Sequence, residues 1–361
     1  MYRPDKPCQS RRRAIPYSAF DKNVAMEPLL RRDDAWYGRR LALPGARPRI
    51  VIDTDAANEI DDPFALAWAL LSPERLQVEA VYAAPHSFAH RRGDRRDALP
   101  CFDPPGVGME RSVVAIEAVF GQLGLPSAGR VFRGATDYLV AAQTPQRSDA
   151  VEHLIATALA TAADGPPLYV VAIGCATNVA SALLVAPQIA ERIVVVWTSG
   201  YPSHAPQPNR SFNLEQDLHA TRVLLGSGVP HVYLPGFHVG AQLRLSLPEM
   251  ERWVRGRGAI GDHLFDLYTH NPLWPLLGID SFEAHSWVIW DLINIAWLIE
   301  PAWVPSSLVR TPALGDDTCW QAQPGAHPMR EAYAVQRDAI FGDFFATLDR
   351  AAAQAALAAP P

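Results

Sequence analysis

The stretch Val51-Ile52-Asp53-Thr54-Asp55-Ala56-Ala57-Asn58-Glu59-Ile60-Asp61-Asp62-Pro63 places five acidic residues within positions 53–62, between a β-branched run and a helical one. Carboxylates crowded into a strand-to-helix turn repel one another. They need open water or a cation, and a hard divalent ion with oxygen ligands meets that need. Asp61 or Asp62 could instead cap the helix, with Pro63 in its first turn and the helix dipole favouring both charges. Capping leaves Asp53 and Asp55 unexplained. An EF-hand loop counted from Asp53 requires Gly at its sixth position and Glu at its twelfth, where Asn58 and Phe64 stand. A phosphotransfer aspartate of the D-x-D-x-T kind requires Thr where the chain has Ala57. A metal-dependent sugar-transfer site stays open on the D-x-D alone.

On either side of this stretch, short β-branched runs alternate with longer amphipathic ones. The runs are 50–52, 78–82, 169–173, 193–197 and 232–234; helical spacing occupies 62–71, 110–123, 150–162, 178–185 and 217–225. This alternation predicts an α/β fold, one large domain with a central, mainly parallel sheet flanked by helices and a Rossmann-like core. Residues 99–108 and 201–208, rich in Pro and Gly, read as long loops. Residues 48–350 form the predicted domain. Residues 1–47 read as a peripheral or poorly ordered extension, with Arg11, Arg12 and Arg13 in a row, and 351–361 as an Ala/Pro tail. In such sheets ligands sit beyond the carboxyl ends of the strands, so the residues after each run are the functional candidates.

Composition narrows the classes. The chain has 361 residues, 49% of them hydrophobic, enough for a continuous core without staples. Cys8, Cys101, Cys175 and Cys319 lie far apart and form no disulfide framework, which predicts a reducing cytoplasm. A net charge of -6 argues against a nucleic-acid or membrane-surface partner, since both need a basic face. No run approaches the ~20 apolar residues of a membrane span. A small molecule is the expected partner.

The acidic stretch resembles the inosine-uridine nucleoside hydrolase family, whose first strand ends in D-x-D and whose next helix opens with D-D. Here two extra residues separate the halves, giving a branch with the form D-T-D-x-x-N-E-x-D-D. Later landmarks follow in family order. Gly174-Cys175-Ala176-Thr177-Asn178 is similar to the G-P-L-T-N turn, whose threonine carbonyl binds metal; Thr177 could also simply cap the next helix. Ser211-Phe212-Asn213 is similar to the E-F-N segment that grips ribose, with Asn213 in place and Ser211 where the family has glutamate; Glu215 is the nearest acid that could compensate. Trp290-Asp291-Leu292 stands where the family has a metal-binding aspartate, although Asp291 could also be a helix cap.

The resemblance implies calcium-dependent hydrolysis of the N-glycosidic bond of ribonucleosides. It implies Ca²⁺ on Asp55, Asp62, Asp291 and the Thr177 carbonyl, with Asp55 also the base that deprotonates the attacking water. Asp61 and Asn213 would hold the ribose; Asp53, Asn58 and Glu59 would support the ligands. Trp290 would stack on a purine, unless it is a core residue beside Trp287 and Trp297. His86 stands where relatives have asparagine and would touch ribose or phosphate, unless it is merely a solvated loop residue. His204, His238 and His285 are possible leaving-group acids. A homodimer or homotetramer is implied as well. Two alternatives remain: a hydrolase of another ribosyl compound or modified nucleoside, and a calcium-dependent protein that binds a ribosyl ligand without turnover.

Overall fold

The computed structural model describes residues 29–93, 99–279 and 286–358. The earlier part of the N-terminal extension, His285 and the last three residues of the tail lie outside these.

The β-branched runs become β1 (Arg49–Thr54), β2 (Gln77–Ala83), β4 (Leu168–Ala172), β5 (Ile193–Ser199) and β6 (His231–Pro235), with the short β3 (Val131–Arg133) between the second and fourth. β7 (Arg244–Ser246) and β8 (Ser286–Val288) form a small antiparallel ribbon, as do β10 (Ala313–Leu314) and β11 (Trp320–Gln321). β9 (Ser306–Arg310) and β12 (Pro328–Ala332) complete the main sheet, whose order is β3-β2-β1-β4-β5-β6-β12-β9. All its pairings are parallel except that of β12 with β9. Every residue of β4, β5 and β6 is buried, as expected of strands covered on both faces.

Along β1 the pleat sends Ile50 and Ile52 into one apolar layer and Val51 into the other. The first layer holds α2 (Asp61–Leu70), α3 (Pro105–Gln122) and the helix Leu292–Ile299. The second holds α4 (Asp149–Leu159), α5 (Thr177–Val185) and α7 (Leu218–Gly226), which follows the single turn α6 (Phe212–Glu215). Strand order reverses between β1 and β4. Their following connections diverge there, beyond the strand ends, the place where this architecture opens a crevice for ligands.

Three boundaries differ from the sequence reading. Residues 99–108 are not one open loop: a 3-10 turn covers Pro100–Phe102 and α3 begins at Pro105, because proline is well suited to the first helical turn, where no N–H is needed. Residues 29–47 are not peripheral. They include α1 (Asp34–Arg40), whose Tyr37 is buried and donates to the Gly228 carbonyl at 2.6 Å, while Leu41 is buried in the first apolar layer. A seven-residue helix with one apolar core residue, Tyr37, and a second, Leu41, at its C-cap carries too little apolar periodicity to be recognised alone. Finally, position 350 falls inside the helix Arg337–Ala358. Phe344 of that helix packs on Phe64 and Trp68 of α2, and Asp343 accepts from the Trp68 indole at 3.1 Å and from Arg75 at 2.8 Å.

At the opposite end of β6 from the crevice, the Tyr37 ring stacks on His327, which in turn lies 6.0 Å from His231. Both imidazoles are driven down by burial, His231 to about 3 and His327 to about 4. A histidine held neutral in the fold takes up its proton only on unfolding. Stability is therefore retained above the ordinary value near 6.5 and falls as pH drops below it, by up to about 1.4 kcal/mol per pH unit for each group until the folded value is reached. His327→Phe, which keeps the stack on Tyr37, is expected to shallow the loss of thermal stability between pH 6 and 4; an unchanged slope in a melting series across that range would sink this account.

Candidate active site

Beyond the end of β1 the chain turns through Asp55 and Asn58 and re-enters helix at Asp61. Asn58 N–H donates to the Asp55 carbonyl at 2.7 Å and its side-chain amide to the Asp55 carboxylate at 3.2 Å, which fixes the turn. The two extra residues of this loop therefore close on Asp55 itself. Across the crevice, Gly174 follows β4 so closely that an added Cβ would stand 3.2 Å from the Asp55 carboxyl carbon. A side chain there would displace Asp55.

Carboxylate oxygens of Asp61, Asp62 and Asp291 all lie within 4.8 Å of one another. Asp62 also accepts from the Thr54 hydroxyl. None of the three caps its helix: α2 has Ile60 at its N-cap without a side-chain bond, and Asp291 stands at the N-cap of Leu292–Ile299 without one. Capping, which could have explained each residue in isolation, is absent from all. The group unites Asp61, expected on a ribose hydroxyl, with two of the expected metal ligands, while Asp55 stands beside it.

Burial drives every one of these carboxyls upward: Asp55, Asp62, Asp291 and Glu59 well above the ordinary range, each raised further by its acidic neighbours, and Asp61 to about 6. Asp53 is pushed up to about 7 by burial, although Asn178 donates to it at 2.8 Å. Among the described residues no Lys or Arg forms a salt bridge with any of them. Asp53 Oδ2, Asn58 Oδ1 and Glu59 Oε2 are buried without a hydrogen-bond partner. Buried like charges with spare oxygen lone pairs and no salt bridge fit a hard divalent cation; of them Glu59 alone is eased by a basic charge, that of Arg91.

The other candidates line the same crevice or brace it. Thr177 is the first residue of α5, not its cap; its hydroxyl donates to Asp217 at 2.7 Å, and Asp217 caps α7. Asn213 donates to the carbonyls of Ile173 and Thr198 at 3.1 and 3.2 Å, tying the ends of β4 and β5 together. Trp290 is only partly buried and so is not core. Its ring packs edge-on to Phe237 at 6.0 Å and close to Gly236 and Gly240. His86 is not solvated: it is 4% exposed beneath Gly108 of α3, its ring nitrogens lack partners, and burial lowers it to about 4.

Ser211 bonds the Ser199 hydroxyl at 3.0 Å. Glu215 does not replace the missing acid. Burial alone would raise it, but His90 and Arg91 bind it and hold it below its usual range. His204 and His238 are exposed. Sequence reasoning passed over Gln216, which accepts from Ser87 N–H at 3.0 Å and the Tyr138 hydroxyl at 2.6 Å, and Gly174, whose meaning lies in its approach to Asp55. A polar residue in a helical run next to a recognised motif carries no signal until its neighbours are known.

Comparison with known proteins bears on the family and the fold. The family model of inosine-uridine preferring nucleoside hydrolases matches residues 50–341. The putative pyrimidine-specific ribonucleoside hydrolase RihB of Shigella boydii is 27% identical over 197 residues, 54% of this chain and 74% of that protein. RihB of Escherichia coli O1:K1 shares the same identity over 57% of its own length, so the match spans little more than half of that relative. Among solved structures, the purine-preferring ribonucleoside hydrolase of Gardnerella vaginalis superposes with a TM-score of 0.62 at 19% identity, covering 84% of this chain and 99% of that one, a likeness of fold. With a match running from β1 to the C-terminal helix and the acidic turn at its start, this chain belongs to the inosine-uridine preferring nucleoside hydrolase family.

Proposed function

We propose that the chain hydrolyses the N-glycosidic bond of ribonucleosides in a calcium-dependent reaction, releasing free base and ribose. The observation that carries this reading is the buried group Asp61, Asp62 and Asp291, with Asp55 beside it and no basic counter-charge among the described residues. Asp55, Asp62, Asp291 and the Thr177 carbonyl would hold Ca²⁺. Held there, such an ion would supply Lewis acidity to the attacking water and bind the ribose hydroxyls.

The side chains divide the remaining work. Asp55 takes the proton of the water as its oxygen attacks C1′, and the electrons of the C1′–N bond leave with the base, which acquires a proton in turn. Positive charge builds on the ribose ring, and the carboxylates around it stabilise that charge in a site from which water is largely excluded. Asp61 and Asn213 hold ribose hydroxyls, while His86 lines the sugar side. Asp53, Asn58 and Glu59 brace the ligands; the Asn58 bonds to Asp55 support that part directly. Trp290, partly exposed beside Phe237, offers a face on which a purine stacks, which favours purines over pyrimidines.

Three outcomes follow from this reading. Inosine, adenosine, guanosine, uridine and cytidine should be assayed for base release with calcium and with chelator; hydrolysis is expected with calcium only, and Asp55→Ala should lower kcat by about 10²- to 10⁴-fold. A native chain that releases no base from any of them removes the proposal. Calcium should raise the melting temperature by relieving the buried repulsion, with about 2.7 kcal/mol of stabilisation at 100 times Kd; Asp291→Asn should lose most of that response, and an equal response would exclude Asp291 as a ligand. Trp290→Leu should reduce kcat/KM about 2- to 12-fold for purine nucleosides and leave uridine nearly unchanged, since one stacking contact is worth about 0.5–1.5 kcal/mol; equal losses for both classes would refute stacking on purines.

A further inference from the structure

Past the end of β6 the ladder to β5 runs on for two residues, Gly236 N–H donating to the Ser199 carbonyl at 2.8 Å and Phe237 N–H to the Gly200 carbonyl at 2.9 Å. At His238 the chain then enters the left-handed region, with φ 70°. Ala241 N–H returns to the Gly236 carbonyl at 2.7 Å, and the Gln242 side-chain amide donates to the His238 carbonyl at 2.9 Å, so the turn is closed with His238 at its apex. Arg47 and Thr318, the other described non-glycine residues with positive φ, stand before β1 and between β10 and β11, neither at the carboxyl end of a main-sheet strand.

This turn lies against Trp290. A Cβ added to Gly236 or Gly240 would stand 3.8 or 3.7 Å from the indole, and the Phe237 ring is edge-on to it at 6.0 Å. Phe237 packs on Tyr201 at 4.7 Å, and the His238 imidazole meets the Tyr201 ring edge-on at 5.0 Å. His238 is exposed, and among the described residues no protein group bonds its ring nitrogens. Glycine at this position would relieve the backbone strain, and asparagine tolerates it. A histidine kept there, at the rim of an aromatic wall beyond a strand end, points to a use for the imidazole itself.

Building on the hydrolase reading above, we infer that His238 is the acid for the leaving base: its protonated imidazole gives a proton to N7 of a purine stacked on Trp290 as the C1′–N bond breaks. The electron pair of that bond stays with the base, which departs neutral, and the imidazole regains a proton from the water to which it is exposed. Imidazole suits this work because it exchanges protons near neutrality. The strain at residue 238 is the cost of holding it beside the stacked base.

Two variants and two leaving groups separate this role from a structural one. His238→Asn removes the imidazole from a backbone that asparagine tolerates, and His238→Gly removes it while relieving the strain. With calcium present and the purine nucleoside that the native chain turns over fastest, both should lower kcat about 10²- to 10⁴-fold and melt no earlier than native. The ribofuranoside of p-nitrophenol, whose leaving anion needs no proton, should lose no more than about twofold. The inference is overturned if His238→Asn keeps kcat for the purine nucleoside within twofold of native, if the p-nitrophenyl riboside loses as much, or if kcat in both variants falls only in step with the melting temperature. Absence of turnover by the native chain overturns the hydrolase reading and this inference with it. Native turnover of pyrimidine nucleosides alone, or native purine turnover with an unimpaired His238→Asn, overturns this inference and leaves the hydrolase reading standing.

Discussion

Mutual repulsion among buried carboxylates is the constraint around which this protein is arranged. Asp55, Asp61, Asp62 and Asp291 are each almost fully shielded from water, and acidic neighbours add to the cost of ionising Asp55, Asp62 and Asp291. A cluster of this kind persists only if the surrounding scaffold is stiff enough to hold it before any cation arrives. The central strands supply that stiffness: β1 is paired on both sides, by β2 and β4, and the first turn of α2 is buried throughout. Neutral donors at the edge, such as the Thr54 hydroxyl and the Asn58 and Asn178 amides, hold individual oxygens in place without cancelling their charge. Arginine in the same positions would have removed the affinity for a divalent ion.

Much of this was legible in the sequence because one strong pattern governed it. Parallel strands buried on both faces read as β-branched runs, and five acids after the first run have few alternative explanations. The fold and the search for a site at the strand ends follow from those patterns, whereas the expectation that Asp62 and Asp291 come together followed from the family resemblance. What escaped is instructive in kind. Pro104-Pro105 resembled a loop because proline marks both loops and helix starts. Tyr37 and Leu41 looked peripheral because their burial depends on contacts with residues some 190 to 290 positions later. Gln216 and Gly174 matter only through what lies opposite them, and single-sequence reasoning has no access to opposition in space.

The turn from Ser211 to Asp217 departs from the E-F-N form that the sequence resembles. Ser211 bonds Ser199, and the nearby Glu215 is committed to His90 and Arg91. The segment is fixed by Asn213 and by the Gln216 and Asp217 contacts to residues 87 and 138–139. Rigidity at this corner comes from amide and hydroxyl groups together with the Asp217 carboxylate, which burial raises above its usual range.

The contacts of the two chain ends bear on the order in which the molecule can be made. Arg330 in β12 donates to the Leu41 carbonyl, Arg310 in β9 pairs with Asp34 in α1, and Asp343 and Phe344 brace α2, the helix whose first turn carries Asp61 and Asp62. Asp291 itself lies 229 residues after Asp62 in the chain. During vectorial synthesis the early strands can pair as they emerge from the ribosome, but the acidic turn has neither its brace nor its last carboxylate until the C-terminal fifth of the chain is free. The nascent protein therefore carries Asp291 apart from the acidic turn, and it is brought against Asp61 and Asp62 only in the final docking, when the finished scaffold is present to restrain them.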